Sequence, residues 1–159
     1  MSRVGSLVLL VVLVMTAPLL RPAEAQVRWF AGGGPANVSA SFGPFPLTAH
    51  VAGGAELQIA GPLAVAAEFG FFDYLAVPAV TGVVRADSVG GSRFSPFFAG
   101  GFSRFTSGEG GFNALVMDVG TDFKPSTGPA FRVEFRNHER LRSHLGRASY
   151  WSLRFGVVF

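Results

Sequence analysis

The chain closes on "SYWSLRFGVVF", Ser149 to Phe159. Counted back in twos, Phe159, Val157, Phe155, Leu153 and Trp151 are large and apolar. Between them stand Val158, Gly156, Arg154, Ser152 and Tyr150, which are small, polar or charged by comparison. A period of two is the pattern of a β-strand with two unlike faces. Termini usually fray, so a strand that runs to its last residue must have a partner elsewhere in the chain.

The same alternation recurs upstream. In "HVAGGAELQIA" Val51, Gly53, Ala55, Leu57 and Ile59 share one face, and His50, Gly54, Glu56 and Gln58 the other. Gly61-Pro62 breaks that run as a tight turn. In "LAVAAEFGFF" Leu63, Val65, Ala67, Phe69 and Phe71 oppose Ala64, Ala66, Glu68 and Gly70. Phe131, Val133 and Phe135 oppose Arg132, Glu134 and Arg136, while Leu115, Met117, Val119 and Phe123 oppose Asp118, Gly120 and Asp122. Weaker strands are expected over Val27–Gly33, over Ala79–Val89 with Arg85 and Asp87 in phase, and over Phe94–Phe105. In that last strand the favoured outer face is Phe97, Ala99, Gly101 and Phe105, which turns Arg104 inward; a bulge would reverse it. The total is eight strands of roughly seven to twelve residues, with no amphipathic helix.

Residues 1–25 read as a cleaved signal peptide. Arg3 precedes the apolar run Leu7–Met15, and Ala23-Glu24-Ala25 has the A-x-A form cut by signal peptidase. The run is too short for a transmembrane helix, which needs about 20 residues. Residues 26–159 then form one domain of an exported protein. Removing Arg3, Arg21 and Glu24 from the 13 basic and 10 acidic residues leaves a small positive balance, which argues against nucleic acid as a partner. The chain has no cysteine, hence neither disulfides nor a thiolate metal site. All 17 phenylalanines and all but one of the 21 glycines follow residue 25, a bias toward strands in close backbone contact.

Two orientations satisfy the alternation. A soluble barrel of the lipocalin kind would bury the apolar face. Eight strands, however, enclose a lumen only just filled by side chains, and Phe69, Phe71, Phe131, Phe135, Trp151, Phe155 and Phe159 would overfill it. Ala64, Ala66, Gly70, Gly54, Gly120, Ser152 and Gly156 on the other face fit. The apolar face is therefore expected to meet lipid, where an unpaired sheet edge cannot persist and the sheet must close. The last strand then pairs with the first. Connections are expected to alternate in length. "GP", "GGSR" and "KPSTG" are short; Gly34–Thr48, "DYLAVP" and Asn137–Ser149 are longer, with "TSGEGG" an exception. Short turns on one rim and long loops on the other mark outer-membrane barrels.

A carboxyl-terminal Phe with apolar residues at alternate preceding positions, here Phe155, Val157 and Phe159, resembles the signal by which bacterial outer-membrane proteins are recognised for assembly. With the leader and the eight strands, residues 26–159 resemble the small eight-stranded OmpA/OmpX-type outer-membrane β-barrel domain family. The resemblance implies an all-β, up-and-down transmembrane barrel with short periplasmic turns, longer outer loops and both termini periplasmic. It implies the bacterial outer membrane as location, outer-membrane lipid and lipopolysaccharide as surroundings, and the assembly machinery as a partner of Trp151, Leu153, Phe155, Val157 and Phe159. No peptidoglycan-binding domain is expected after Phe159, and the barrel is expected to be a monomer.

The inward phases collect a lumen charge network of Glu56, Glu68, Arg85, Asp87, Asp118, Asp122, Arg132, Glu134, Arg136 and Arg154, with Arg28 and Arg104 as further members. Charges in a dry lumen must pair or be hydrated. The network reads as a salt-bridged plug or, alternatively, as a narrow ion path. His50 is expected inward as a satisfied lumen residue. His138, Glu139, Ser143 and His144 share the last loop, and their types suggest a lipid A-modifying enzyme. Their spacing matches no nucleophile motif, and a flexible loop is poorly suited to preorganising a triad. Arg140, Arg142 and Arg147 make the same loop a candidate anion site, since Arg forks suit phosphate. No carboxylate or His cluster has metal spacing, and neither catalysis nor a cofactor is expected. The functional expectation is a structural or adhesive role in the cell envelope.

Overall fold

The computed structural model describes residues 26–40, 43–44, 47–86, 93–108, 110–141 and 148–159. Eight long strands follow in order: β1 Val27–Ala40, β2 Thr48–Ala60, β3 Leu63–Phe72, β4 Leu75–Arg85, β5 Phe94–Ser107, β6 Gly110–Phe123, β7 Ala130–Arg140 and β8 Ala148–Val158. A two-residue extension, Gly43–Pro44, folds back on Ser39 and Ala40. Each long strand pairs antiparallel with the next, and β8 pairs with β1. No helix occurs among the described residues.

The β1–β8 seam accounts for the terminal strand. Phe30 lies opposite Val158, Gly32 opposite Gly156 and Ala36 opposite Ser152. Beyond them the Trp29 N–H donates to the Phe159 carbonyl at 3.3 Å, and the Phe159 N–H to the Trp29 carbonyl at 2.8 Å. Gly156 permits the close approach: a Cβ there would stand 2.4 Å from the Ala31 carbonyl oxygen. The strand is ordered to its end because the first strand satisfies its backbone.

The faces are inverted relative to a protein that buries its grease. Along β3, outward Leu63, Val65, Phe69 and Phe71 are 39–54 % exposed, whereas inward Ala64, Ala66, Glu68 and Phe72 are buried. On β5 the outward positions Phe94, Phe98 and Phe102 span about 26 Å of strand, or about 20 Å of height at a tilt of about 40°. That is close to the apolar band of a transmembrane barrel, about 25 Å tall.

Several expectations are corrected. β5 has the opposite phase: Phe97, Ala99 and Phe105 are buried inside, and Phe98, Phe102 and Arg104 face outward. β1 continues to Ala40, well beyond Gly33, so much of the expected first loop is strand. β4 begins at Leu75 and stops at Arg85, which puts Asp87 outside the described residues. β7 continues through His138, Glu139 and Arg140, which were expected in a loop. Asp73 and Tyr74 alone reverse the chain between β3 and β4, with Asp73 at φ 56°, a left-handed conformation that Asp tolerates. The connections from 86 to 93 and from 124 to 129, expected to be the short ones, are longer than that turn. For β1, β7 and the turn after β3 the cause is common: alternation persists past the lipid-facing band, so strands absorb residues that polarity alone assigns to loops.

Candidate functional site

The lumen is built by register. Antiparallel pairing sets Asp118 opposite Arg136, Asp122 opposite Arg132, Glu134 opposite Arg154 and Arg28 opposite Glu56. Directly opposed side chains on one face lie within reach of each other, so these four acids meet a guanidinium on a neighbouring strand, whereas Glu68, opposite Gly54 and Ala79, finds its arginines only across the barrel.

Two clusters result. Toward the rim that carries both termini, Arg132 Nε donates to Asp122 Oδ1 at 2.8 Å and Arg85 Nη1 to Asp122 Oδ2 at 2.8 Å. Arg85 Nη2 also reaches both Glu56 oxygens, at 2.8 and 2.7 Å, and Arg28 Nη2 donates to Asp122 Oδ2 at 2.7 Å. Arg85 and Arg132 lie over the Phe97 ring at 4.9 and 4.7 Å, and Arg132 also lies over Phe30. In the second cluster Arg136 holds Asp118 bidentately, at 2.7 Å for each bond. Glu68 accepts from Arg154 at 2.8 and 2.9 Å and also from Arg136, while Arg154 pairs with Glu134. A 4.0 Å contact between Arg132 and Glu134 joins the clusters. Acids and arginines are equal in number across the two, as desolvation in a narrow lumen demands.

Beyond the second cluster lies a histidine layer. His50 Nδ1 is 3.0 Å from Ser152 Oγ, and His138 Nδ1 is 2.9 Å from Ser103 Oγ. Both rings are fully buried, 5.9 Å apart between centroids. Neither Nε2 has a hydrogen-bond partner. Aromatic packing covers them toward the other rim: Phe72 and Phe105 contact Tyr150, and Phe105 stacks on Phe112 at 4.8 Å. Arg140 closes this layer, over Phe112 at 4.6 Å. Open recesses of about 480 Å³ and about 230 Å³ lie at the terminal and far mouths respectively.

Comparison with solved structures gives three useful neighbours. Neisserial surface protein A (NspA) superposes with a TM-score of 0.69 at 15% identity, over 86% of this chain and 98% of NspA. The N-terminal β-barrel domain of Pseudomonas aeruginosa OprF superposes at 0.61 and 12% identity, over 86% of this chain and 100% of that domain. Ail, the attachment invasion locus protein of Yersinia pestis, superposes at 0.51 and 15% identity, over 86% of this chain and 100% of Ail. The fold is that of the small OmpA/OmpX-type outer-membrane β-barrel. No family model and no curated protein matches the sequence.

In this eight-stranded barrel the structure brings together Glu56, Glu68, Arg85, Asp118, Asp122, Arg132, Glu134, Arg136 and Arg154, all buried, with Arg28 at their edge. Arg104 does not join them, because β5 turns it outward. Trp151, Leu153, Phe155 and Val157 alternate on the outer face of β8. His138 is separated from the expected loop set: it is sealed in the lumen, while Ser143 and His144 lie outside the described residues, as do Arg142 and Arg147. Lumen aromatics were missed, and register supplies their signal. Phe97 pairs with inward Gly120, and Phe30 with inward Gly54. A Cβ at Gly120 would stand 2.7 Å from the Phe97 ring, and one at Gly54 would stand 2.8 Å from that of Phe30. At these two positions a glycine on the inner face marks where a neighbouring strand sends in a ring.

Proposed function

We propose that this chain is a small bacterial outer-membrane protein with a structural or adhesive role, residues 1–25 being removed on export. The observation that carries this reading is the combination of a lipid-suited outer face with a lumen closed by paired side chains. Such a barrel displays its rims and conducts nothing through its middle. Both termini would face the periplasm, the C-terminal strand from Trp151 to Phe159 would be read by the assembly machinery, and the barrel would work as a monomer.

The adhesive arm of the proposal belongs to the far mouth, where Arg140 stands over Phe112 beside a recess of about 230 Å³. Arg142 and Arg147, which follow in the sequence, add to the positive charge of this segment. Ail has been solved in complex with the heparin analogue sucrose octasulfate, a precedent for anion docking on this fold. A lipid A-modifying enzyme is the weaker reading: Ser103–His138 and Ser152–His50 look like nucleophile–base pairs, but both sit beneath the aromatic layer with no exposed atom to meet a substrate.

Outer membranes of cells expressing the full chain should give a band that migrates faster unboiled than boiled and resists protease until heated. A single unshifted, protease-sensitive band in the soluble fraction would overturn the reading. Salt-sensitive retention of the folded protein on immobilised heparin, lost in Arg140→Gln, would assign the adhesive role; no retention would leave the structural one.

A further inference from the structure

A hollow larger than either mouth recess opens on the outer wall, away from the lumen. About 730 Å³ in volume, it is walled by Ala67, Phe69, Pro78, Val80 and Phe102. Arg104, Asn113 and Leu141 form its far-rim edge. The small Ala67 and the compact ring of Pro78 lie between the long side chains of Phe69 and Phe102, and this difference in size creates the hollow. Pro78 pairs with Phe69 on one side but lacks an N–H to give to β5 on the other.

Arg104 differs from the arginines of the lumen. It faces outward and has no carboxylate partner among the described residues; Nη1 donates to Asn113 Oδ1 at 3.1 Å. It follows Phe102 by two positions, which raises it about 5 Å above the last aromatic of the apolar band at ordinary strand rise and tilt. That is headgroup level, where an arginine with a fixed neighbour meets phosphate, and its planar fork matches two phosphate oxygens at once. An apolar hollow below and a cation at its edge are complementary to one kind of molecule, an acyl chain that ends in a phosphorylated head.

We propose that this hollow docks one lipopolysaccharide molecule, with an acyl chain of its lipid A against Phe69, Val80 and Phe102 and a lipid A phosphate on Arg104, which Asn113 steadies. The choice of lipopolysaccharide rests on the orientation given under Proposed function, which puts the far rim in the outer leaflet. The site is distinct from the basic loop, since every residue in it lies on a strand or directly follows one.

The test uses the full mature chain refolded in detergent and native mass spectrometry with purified lipid A, lipid A lacking its phosphates, and phosphatidylglycerol. Wild type should retain one lipid A. Arg104→Gln and Ala67→Trp should each retain at least about tenfold less, consistent with losing a charge-assisted hydrogen bond or the space for a chain. The dephosphorylated lipid should behave like Arg104→Gln. Equal retention by Arg104→Gln, or phosphatidylglycerol held as well as lipid A, would overturn the proposal. Heat-shifted migration of each variant reports separately on the barrel, so absence of that shift in wild type would sink the membrane reading itself.

Discussion

Glu68 accepts hydrogen bonds from two arginines on different strands, Arg136 of β7 and Arg154 of β8. Removing its carboxylate leaves both guanidinium groups buried with less compensation. Breaking a buried pair on one side costs ~3–5 kcal/mol, because the surviving charge has no water to return to. Glu68→Ala is therefore expected to lose about that much stability in urea unfolding from lipid vesicles, followed by tryptophan fluorescence. Glu134→Ala should behave similarly, since Arg154 loses one of its two carboxylates. Replacing both members of that pair, as Glu134→Leu with Arg154→Met, should recover little of the loss, because it leaves the buried Glu68 with Arg136 as its one remaining arginine. An unfolding midpoint in Glu134→Ala equal to wild type would show that this carboxylate is not a buried partner.

β5 is the element on which polarity and register disagree. Its aromatics occupy both faces, so apolar character could not choose a phase, and turning Arg104 inward looked like the economical choice. The structure chooses by fit: Phe97 enters where Gly120 opposes it, and Phe105 completes the aromatic layer with Phe112 and Tyr150. Phe98 then lies midway along the outward set from Phe94 to Phe102. Phe98→Arg should cost ~2–4 kcal/mol in vesicles, as an arginine at the bilayer midplane does, whereas Phe102→Arg near the headgroups should cost only ~0–1 kcal/mol. Equal costs, or a larger one at Phe102, would contradict this phase. The other strands were legible because each carries its charges on one side, as with Arg132, Glu134 and Arg136 opposite Phe131, Val133 and Phe135. The acid–base content of the lumen was legible for the same reason, but its pairing was not. Partners such as Glu68 and Arg154, 86 positions apart, meet only after closure. His138 was misplaced because a polar "NHER" reads as a loop, although alternation carries it inward.

Closure of the whole molecule determines what it can transmit. Along the barrel axis, one cluster around Asp122, a second around Glu68, the His50–His138 layer and the rings of Phe72, Phe105 and Tyr150 follow one another. An ion crossing this stack would have to displace arginines from carboxylates that they hold at 2.7–2.9 Å, such as Asp118 and Glu68. It would then have to pass a layer with no charge to receive it. Eight strands leave no room for a water file beside such side chains. The wild-type protein in a planar bilayer is therefore expected to show no discrete conductance steps at moderate voltage. Phe105→Ala should not open it, because the ion-pair clusters remain. Combining Phe105→Ala with Glu68→Ala and Arg154→Ala removes material from both layers and should give small, resolvable steps if the barrel still migrates with a heat shift. Steps in wild type would instead favour the narrow ion path, and the charge clusters would then be relay sites with the arginines exchanging partners as ions pass.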